Sequence, residues 1–176
     1  YGAGELVLIA RNEDGYLNLI NLISYAHLNP NGMKGPAVRI EDLIKRNEGL
    51  IILSGGVKKG FIPNSFKANN DDIVRSRLEL FRDNFKDDFY IEIQRHGLTE
   101  QELIEKQLIN IAYKNNFPIV ATNDVCFLNP EMQEAHEVLM CIDAGKTISN
   151  PDKPTMTENH YFKTRSEMID LFKDLP

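Results

Sequence analysis

Apolar residues occur in short unbroken runs, separated by longer stretches in which they return every third or fourth position. Four runs have strand length: Glu5-Leu6-Val7-Leu8-Ile9-Ala10, Gly49-Leu50-Ile51-Ile52-Leu53-Ser54, Phe89-Tyr90-Ile91-Glu92-Ile93-Gln94 and Phe117-Pro118-Ile119-Val120-Ala121-Thr122. The spaced stretches predict helices. Tyr16, Leu19, Ile20, Ile23, Ala26 and His27 mark one from Asn12 to a stop at Asn29-Pro30-Asn31-Gly32, and Ile40 to Arg46 suggests a short second one. Ile73, Leu78, Leu80 and Phe81 mark another from about Asn70 to Phe85, with Asn70 or Asp71 able to cap it. Leu103, Ile104, Leu108, Ile111 and Ala112 extend a helix to Asn115-Asn116, opened by a capping box of Thr99 and Glu102. Strand and helix alternate, which predicts an α/β fold of parallel strands joined by helical crossovers. Further on, the pattern predicts a helix from Pro130 to about Ile142, a proline-broken loop over 149–154, and a last helix opened by Thr164 and Glu167. Tyr1-Gly2-Ala3-Gly4 reads as a loop.

Composition bounds this picture. With 176 residues, 42% apolar and 26% charged, the chain has the balance of one globular domain spanning 1–176 that needs no staples. No apolar run has the length a membrane helix requires, so no membrane partner is expected. Cys126 and Cys141, with no secretory leader, favour a reducing, cytoplasmic compartment. The formal charge is −6 and the whole excess lies in residues 89–176. An acidic face there would repel a phosphate backbone and suit a cation or a basic protein surface, unless it is only a solvated exterior.

In parallel α/β folds, chemistry collects at the carboxyl ends of the strands. The residues arriving there are Ser54-Gly55-Gly56, Glu92 with His96, and Asp124 with Cys126. Glu, His, Asp and Cys are transition-metal ligands, and Asp124 and Cys126, two apart, share one side of an extended segment. Structural readings stand beside this one. Asn123-Asp124 is a turn cap before a buried thiol, Glu92 pairs with Arg95 or His96, and His136 caps or pairs within its helix. His27 and His160 have no ligand-spaced neighbours. Ser54 to Gly60 resembles a phosphate cradle but lacks the Walker spacing, and neither a nucleophile elbow nor a His-Glu-x-x-His pair is present.

Several longer strings together carry a resemblance. Leu50-Ile51-Ile52-Leu53-Ser54-Gly55-Gly56, Tyr90-Ile91-Glu92-Ile93-Gln94-Arg95-His96-Gly97, Pro118-Ile119-Val120-Ala121-Thr122-Asn123-Asp124-Val125, Ala135-His136-Glu137-Val138-Leu139-Met140-Cys141-Ile142 and Tyr161-Phe162-Lys163 occur in that order. The chain resembles the polymerase and histidinol phosphatase (PHP) domain of bacterial DNA polymerase III alpha subunits. That resemblance implies part of a distorted (β/α)7 barrel, whose strand ends collect His, Asp, Glu and sometimes Cys around zinc or manganese. It implies a parent that makes DNA in its other parts, through a magnesium site there, and that contacts DNA by those parts.

Two departures bear on the metals. The early His-x-His motif and the first strands are not in the chain, and Cys126 stands where relatives commonly have histidine, as Gly56 stands for a common cysteine. The expectation is therefore a weak or vestigial site at Asp124, Cys126, Glu92 and His96, with no tightly bound ion. The expected role is architectural, docking the proofreading exonuclease (epsilon) subunit among other replicase subunits. The alternative is an active metal-dependent phosphoesterase or 3′-5′ exonuclease. Missing first strands would also leave a sheet edge able to recruit another chain.

Overall fold

The computed structural model describes residues 3–29, 35–67 and 71–175. Asn70 and the Pro30-Asn31-Gly32 stop lie outside the described residues. The strands are β1 (Val7–Ala10), β2 (Leu50–Leu53), β3 (Phe89–Ile93) and β4 (Ile119–Ala121), forming one sheet in the order β1-β2-β3-β4. The helices are α1 (Glu13–Leu28), α2 (Ile40–Ile44), α3 (Pro63–Lys67), α4 (Asp71–Phe85), α5 (Thr99–Asn115), α6 (Gln133–Asp143) and α7 (Arg165–Leu171). No helix among the described residues is long and apolar enough to cross a membrane. Two compact units divide the chain. One takes Tyr1–Glu92 with Leu108–Val120, the other Ile93–Gln107 with Ala121–Pro176.

In the first unit β2 pairs with β3 in parallel, Ile52 opposite Phe89 and Leu53 opposite Tyr90. The mixed α/β class holds, but uniform parallel pairing does not: β1 runs antiparallel to β2, with Val7 opposite Leu53 and Ala10 opposite Leu50. The reason lies in the connection. One crossover helix would return the chain to the start of a parallel neighbour, whereas two helices, α1 and the short α2, lie between β1 and β2. The chain re-enters where β1 ended, and the Arg11 N–H donates to the Gly49 carbonyl at 2.8 Å.

Helix α1 begins as its sequence predicts, with the Asn12 side chain accepting the Gly15 N–H at 2.9 Å. Its packed face is offset from the expected stripe. Gly15, Leu22 and Ala26 are buried, while Tyr16, Ile20 and Ile23 face solvent. The offset follows from Gly15, whose missing side chain lets the helix lie against the Gly49 carbonyl; a Cβ there would sit 1.9 Å from that oxygen. The core gathers on Phe81, whose ring lies 5.7 Å from Phe61, 5.0 Å from Phe85 and 4.5 Å from Phe89. Phe117 meets Phe89 edge-on at 5.3 Å. Val74, Leu78, Phe81 and Phe85 are buried apolar positions of α4 at helical spacing, and Arg77 is buried on the same helix.

Two further local expectations change. Helix α5 starts at Thr99, with its first turn closed on the Leu98 carbonyl by the Gln101 and Glu102 amides, so Thr99 lies inside the helix and is not its cap. Its far end matches expectation: Asn116 adopts φ 58°, the left-handed conformation in which asparagine ends helices. The box at Thr164 and Glu167 forms with both reciprocal bonds. In the Ser54–Gly60 loop the Ser54 N–H donates to the Tyr90 carbonyl and the Gly60 N–H to the Gly56 carbonyl, so those two amides are not offered to an anion.

The α1 packing gives a direct test. Gly15→Ala drives a methyl group into backbone that cannot retreat, so unfolding by urea should shift to lower midpoint by about 3 kcal/mol. A midpoint unchanged from the parent would refute this close approach.

Candidate functional site

The second unit holds the turn after β3 and the loop after β4. His96, in the Arg95-His96-Gly97 turn, is only 1% exposed. Its Nδ1 lies 2.8 Å from Gln101 Nε2, while Gln101 Oε1 accepts the backbone N–H of His96 at 2.7 Å. Its Nε2 lies 3.0 Å from Asn123 Oδ1, with the Asp124 amide at 3.3 Å. Asn123 is held from its other end, its Nδ2 donating to the Tyr161 carbonyl at 2.6 Å.

These bonds assign the tautomer. Gln101 uses its oxygen on the backbone, so its NH2 faces Nδ1 and donates to it; Asn123 uses its NH2 on Tyr161, so its oxygen faces Nε2 and accepts. Gln101 requires Nδ1 as acceptor and the shorter contact, to Asn123, requires Nε2–H as donor; the Asp124 N–H, which also points at Nε2 from 3.3 Å, then meets a proton and not a lone pair. The ring is neutral for physical reasons too: burial, then the neighbouring His160 and Lys163, push its pKa down to about 4. His160 stacks on it at 4.0 Å, 10° from parallel.

Around this pair a network closes. Thr157 Oγ1 donates to the His96 carbonyl at 2.8 Å, and the Asn159 amide does so at 3.3 Å. His160 Nδ1 lies 3.0 Å from Thr157 Oγ1. Lys163 Nζ donates to Asn123 Oδ1 at 3.3 Å and to the Asn159 carbonyl, and burial lowers its pKa. The Cys126 amide donates to the His160 carbonyl at 2.8 Å, and Phe127 bridges in parallel to Tyr161.

The sequence-predicted ligands fall out as follows. His96, Asp124 and Cys126 do come into one neighbourhood, but largely through backbone. Asp124 comes near the ring by its backbone amide, 3.3 Å from Nε2, while its residue is exposed, and the Cys126 thiol lies 3.7 Å from the Asp124 carbonyl. Glu92 belongs to the first unit, buried on β3, where its N–H donates to the buried Ser54 Oγ at 2.9 Å. Among the described residues no group of three or more His, Cys, Asp or Glu is arranged to hold a metal ion. In this arrangement neither nitrogen of His96 presents a lone pair to a cation, since one accepts from Gln101 and the other carries the proton given to Asn123. Gln101, Asn123, Thr157, His160 and Lys163 were not expected as site residues; they come from the first turn of α5 and from separate loop and turn segments, with no shared spacing to signal that they meet.

Arg95, a candidate partner for Glu92, instead engages its own unit with all five of its donors. Nε and Nη2 reach Glu105 at 3.0 and 2.6 Å, Nη1 reaches the Leu171 carbonyl at 2.7 Å and Asp174 at 2.6 Å, and Nη2 reaches Asp174 at 2.8 Å. Its guanidinium also lies 4.9 Å from the Phe172 ring. The bonds to Arg95 hold the Asp174 carboxyl down at about 2.

Two pH responses follow, with opposite partners but the same sense. The folded His96 resists a proton that the unfolded chain accepts, so its contribution is complete above pH 6.5 and is lost as pH falls toward 4, by on the order of 3 kcal/mol. Thermal melts should show this loss in the parent and a flatter profile over pH 6.5 to 4 in His96→Gln. Asp174 contributes above its ordinary value of 3.8 and loses that contribution as pH falls toward 2. Arg95→Lys, which cannot fork onto both carboxylates, should lower the melting temperature at pH 7 and abolish the Asp174 part of the acid limb; an unchanged melt would refute the clasp.

The PHP domain family pattern matches residues 2–96. Over 172 residues, 98% of the chain, it is 43% identical to the DNA polymerase III subunit alpha of Rickettsia bellii. The protein of the same name from Caulobacter vibrioides is 41% identical over 174 residues, 99% of the chain, and that from Escherichia coli 34% over 173 residues, 98% of the chain. The chain spans about 15% of the length of each of these relatives. A family pattern covering more than half of the residues places the chain plainly: it belongs to the PHP domain family.

Proposed function

We propose that this chain is the PHP-domain portion of a replicative DNA polymerase III alpha subunit, and that its role there is architectural. On this reading the four-stranded sheet is part of a distorted (β/α)7 barrel. DNA synthesis, with its magnesium ions and its contacts to DNA, belongs to other parts of the parent chain, which works in the cytoplasm among replicase subunits. The near-complete match to relatives of that name supports the parentage.

The observation that carries the silent role is the closure of His96 by Gln101 and Asn123. Phosphoester hydrolysis in this family needs ions that lower the pKa of bound water and neutralise the leaving oxygen. A histidine whose nitrogens are both answered by amides supplies neither ligand nor base. Lys163, whose ammonium donates to Asn123 Oδ1, already brings a positive charge beside the ring. The acidic balance of residues 89–176 suits a basic protein partner, and we assign that partner as the proofreading exonuclease subunit.

The test uses the intact alpha subunit. Purified without chelator, it should carry well under one equivalent of zinc or manganese attributable to this region, and Asp124→Ala with Cys126→Ser should leave metal content and polymerisation unchanged. It should also bind the exonuclease subunit in a titration. Stoichiometric zinc or manganese lost in the double variant, together with phosphodiesterase activity lost in step, would instead establish the hydrolase; failure of the exonuclease subunit to bind would remove the docking role.

A further inference from the structure

Helix α6 is packed inside out. The face turned toward its own unit sets bonded polar groups beside Met140 and Cys141: Glu137 accepts Lys153 Nζ at 2.8 Å and the Met156 amide at 3.3 Å, and Gln133 donates to the Met156 carbonyl. His136 lies against the Phe127 ring at 5.7 Å, and Cys141 is the helix's one buried position. The outward face carries the hydrocarbon. Ala135, Val138, Leu139 and Ile142 are exposed, with Met132 just before the helix, and Leu139 and Ile142 are 63% and 69% exposed. Met132, Ala135, Leu139 and Ile142 recur at steps of three and four, which aligns them in one stripe along the helix.

The flanks of that stripe are acidic. At 100° per residue Glu134 falls along one side of it and Asp143 along the other, both exposed, with exposed Glu131 at the amino end. From Pro130 to Asp143 there is no lysine or arginine; Lys146, beyond the carboxyl end, donates to the Asp152 carbonyl. The charges select the occupant. Two copies joined through this face would set carboxylates against carboxylates with no cation on either helix, and an anionic lipid surface would be repelled in the same way. A helix with an apolar stripe bordered by lysines or arginines meets both the hydrocarbon and the charge.

We propose that the outward face of α6 docks a basic amphipathic helix of a partner protein, its apolar side chains seated on Met132, Ala135, Leu139 and Ile142 and its cations against Glu134 and Asp143. The proposal rests on the docking reading above only in taking the occupant for another protein.

The test titrates the intact alpha subunit with a fluorescent synthetic helix of leucine and lysine, and with a leucine and glutamate helix of the same pattern. The lysine helix should bind at least about tenfold more tightly, and its affinity should fall as salt rises. Leu139→Lys with Ile142→Lys should weaken it by at least about tenfold, and Glu134→Lys with Asp143→Lys should turn the preference toward the glutamate helix. All four positions are exposed, so unchanged melting of the variants checks their fold. Equal binding of the two helices, or full affinity in the Leu139/Ile142 variant, overturns the proposal. So does a dimer of the parent that this variant converts to monomer. The exonuclease subunit separates the two readings. If it binds parent and Leu139/Ile142 variant alike, the docking role stands on another surface and the lysine helix alone decides α6. If it fails to bind the parent, the docking role falls and the lysine helix alone decides the surface.

Discussion

An imidazole shut away from water needs a protein partner at each nitrogen, and a neutral one needs a donor at one and an acceptor at the other. At His96 that demand is met by two amides that are themselves fixed at their far ends, Gln101 on the His96 backbone and Asn123 on the Tyr161 carbonyl. Neither can flip without breaking a second bond, so the ring's tautomer, the turn after β3 and the segment at 157–163 are determined together. Recruiting His96 to a cation would leave a buried amide unpaired, at roughly 1–3 kcal/mol for each group abandoned. The closure therefore resists use as a ligand through its own hydrogen bonds, independently of which other donors the neighbourhood holds.

Periodicity made the elements of this fold legible, because burying one stripe or one strand face leaves a repeating mark. Strands at 50–53 and 89–93, the helix ending at Asn115, and the capping box at Thr164 all lie where the pattern puts them. Direction was not legible. Nothing in Leu6-Val7-Leu8-Ile9 distinguishes a parallel from an antiparallel neighbour; that is decided by where the connection through α1 and α2 delivers the chain. Short-range chemistry misled at Thr99, where the Thr-x-x-Glu spacing is present but the Leu98 carbonyl closes the first turn.

Of this neighbourhood the sequence made His96, Asp124 and Cys126 legible as neighbours, but neither Gln101, Asn123, Thr157, His160 and Lys163 nor the bonding, and Glu92 lies in the other unit. His96, Asp124 and Cys126 are near one another, as strand ends in an α/β fold should be, yet residue type alone implied side chains converging on a cation. What converges is backbone amide, imidazole and carboxamide. Asparagine, glutamine and threonine side chains can satisfy a buried neutral histidine, but each is common on exposed helix and loop surfaces, so their presence raised no signal. Arg95 illustrates the same limit from the charged side. Its sequence neighbours suggested Glu92, but a guanidinium with five donors is matched by two carboxylates and a carbonyl, and that set occurs only where Glu105 and the Leu171–Asp174 segment meet.

Helices α1 and α6 show why a hydrophobic period has a meaning apart from its phase. A stripe at steps of three and four says that some surface covers it, and the usual assumption is that the covering surface belongs to the same domain. In α1 the assumption fails because Gly15 allows a closer approach on another side, leaving Tyr16, Ile20 and Ile23 outward. In α6 it fails because a charged side chain has claimed the inner face: Glu137, once paired with Lys153 and the Met156 amide, cannot be turned to solvent without leaving a half-buried lysine and an amide behind. The polar bonds fix the phase, and the hydrocarbon takes the face that remains. Such an arrangement is stable in isolation only at the expense of exposed apolar surface, and a second surface that covers Leu139 and Ile142 would relieve that exposure without disturbing the bonds that produced it.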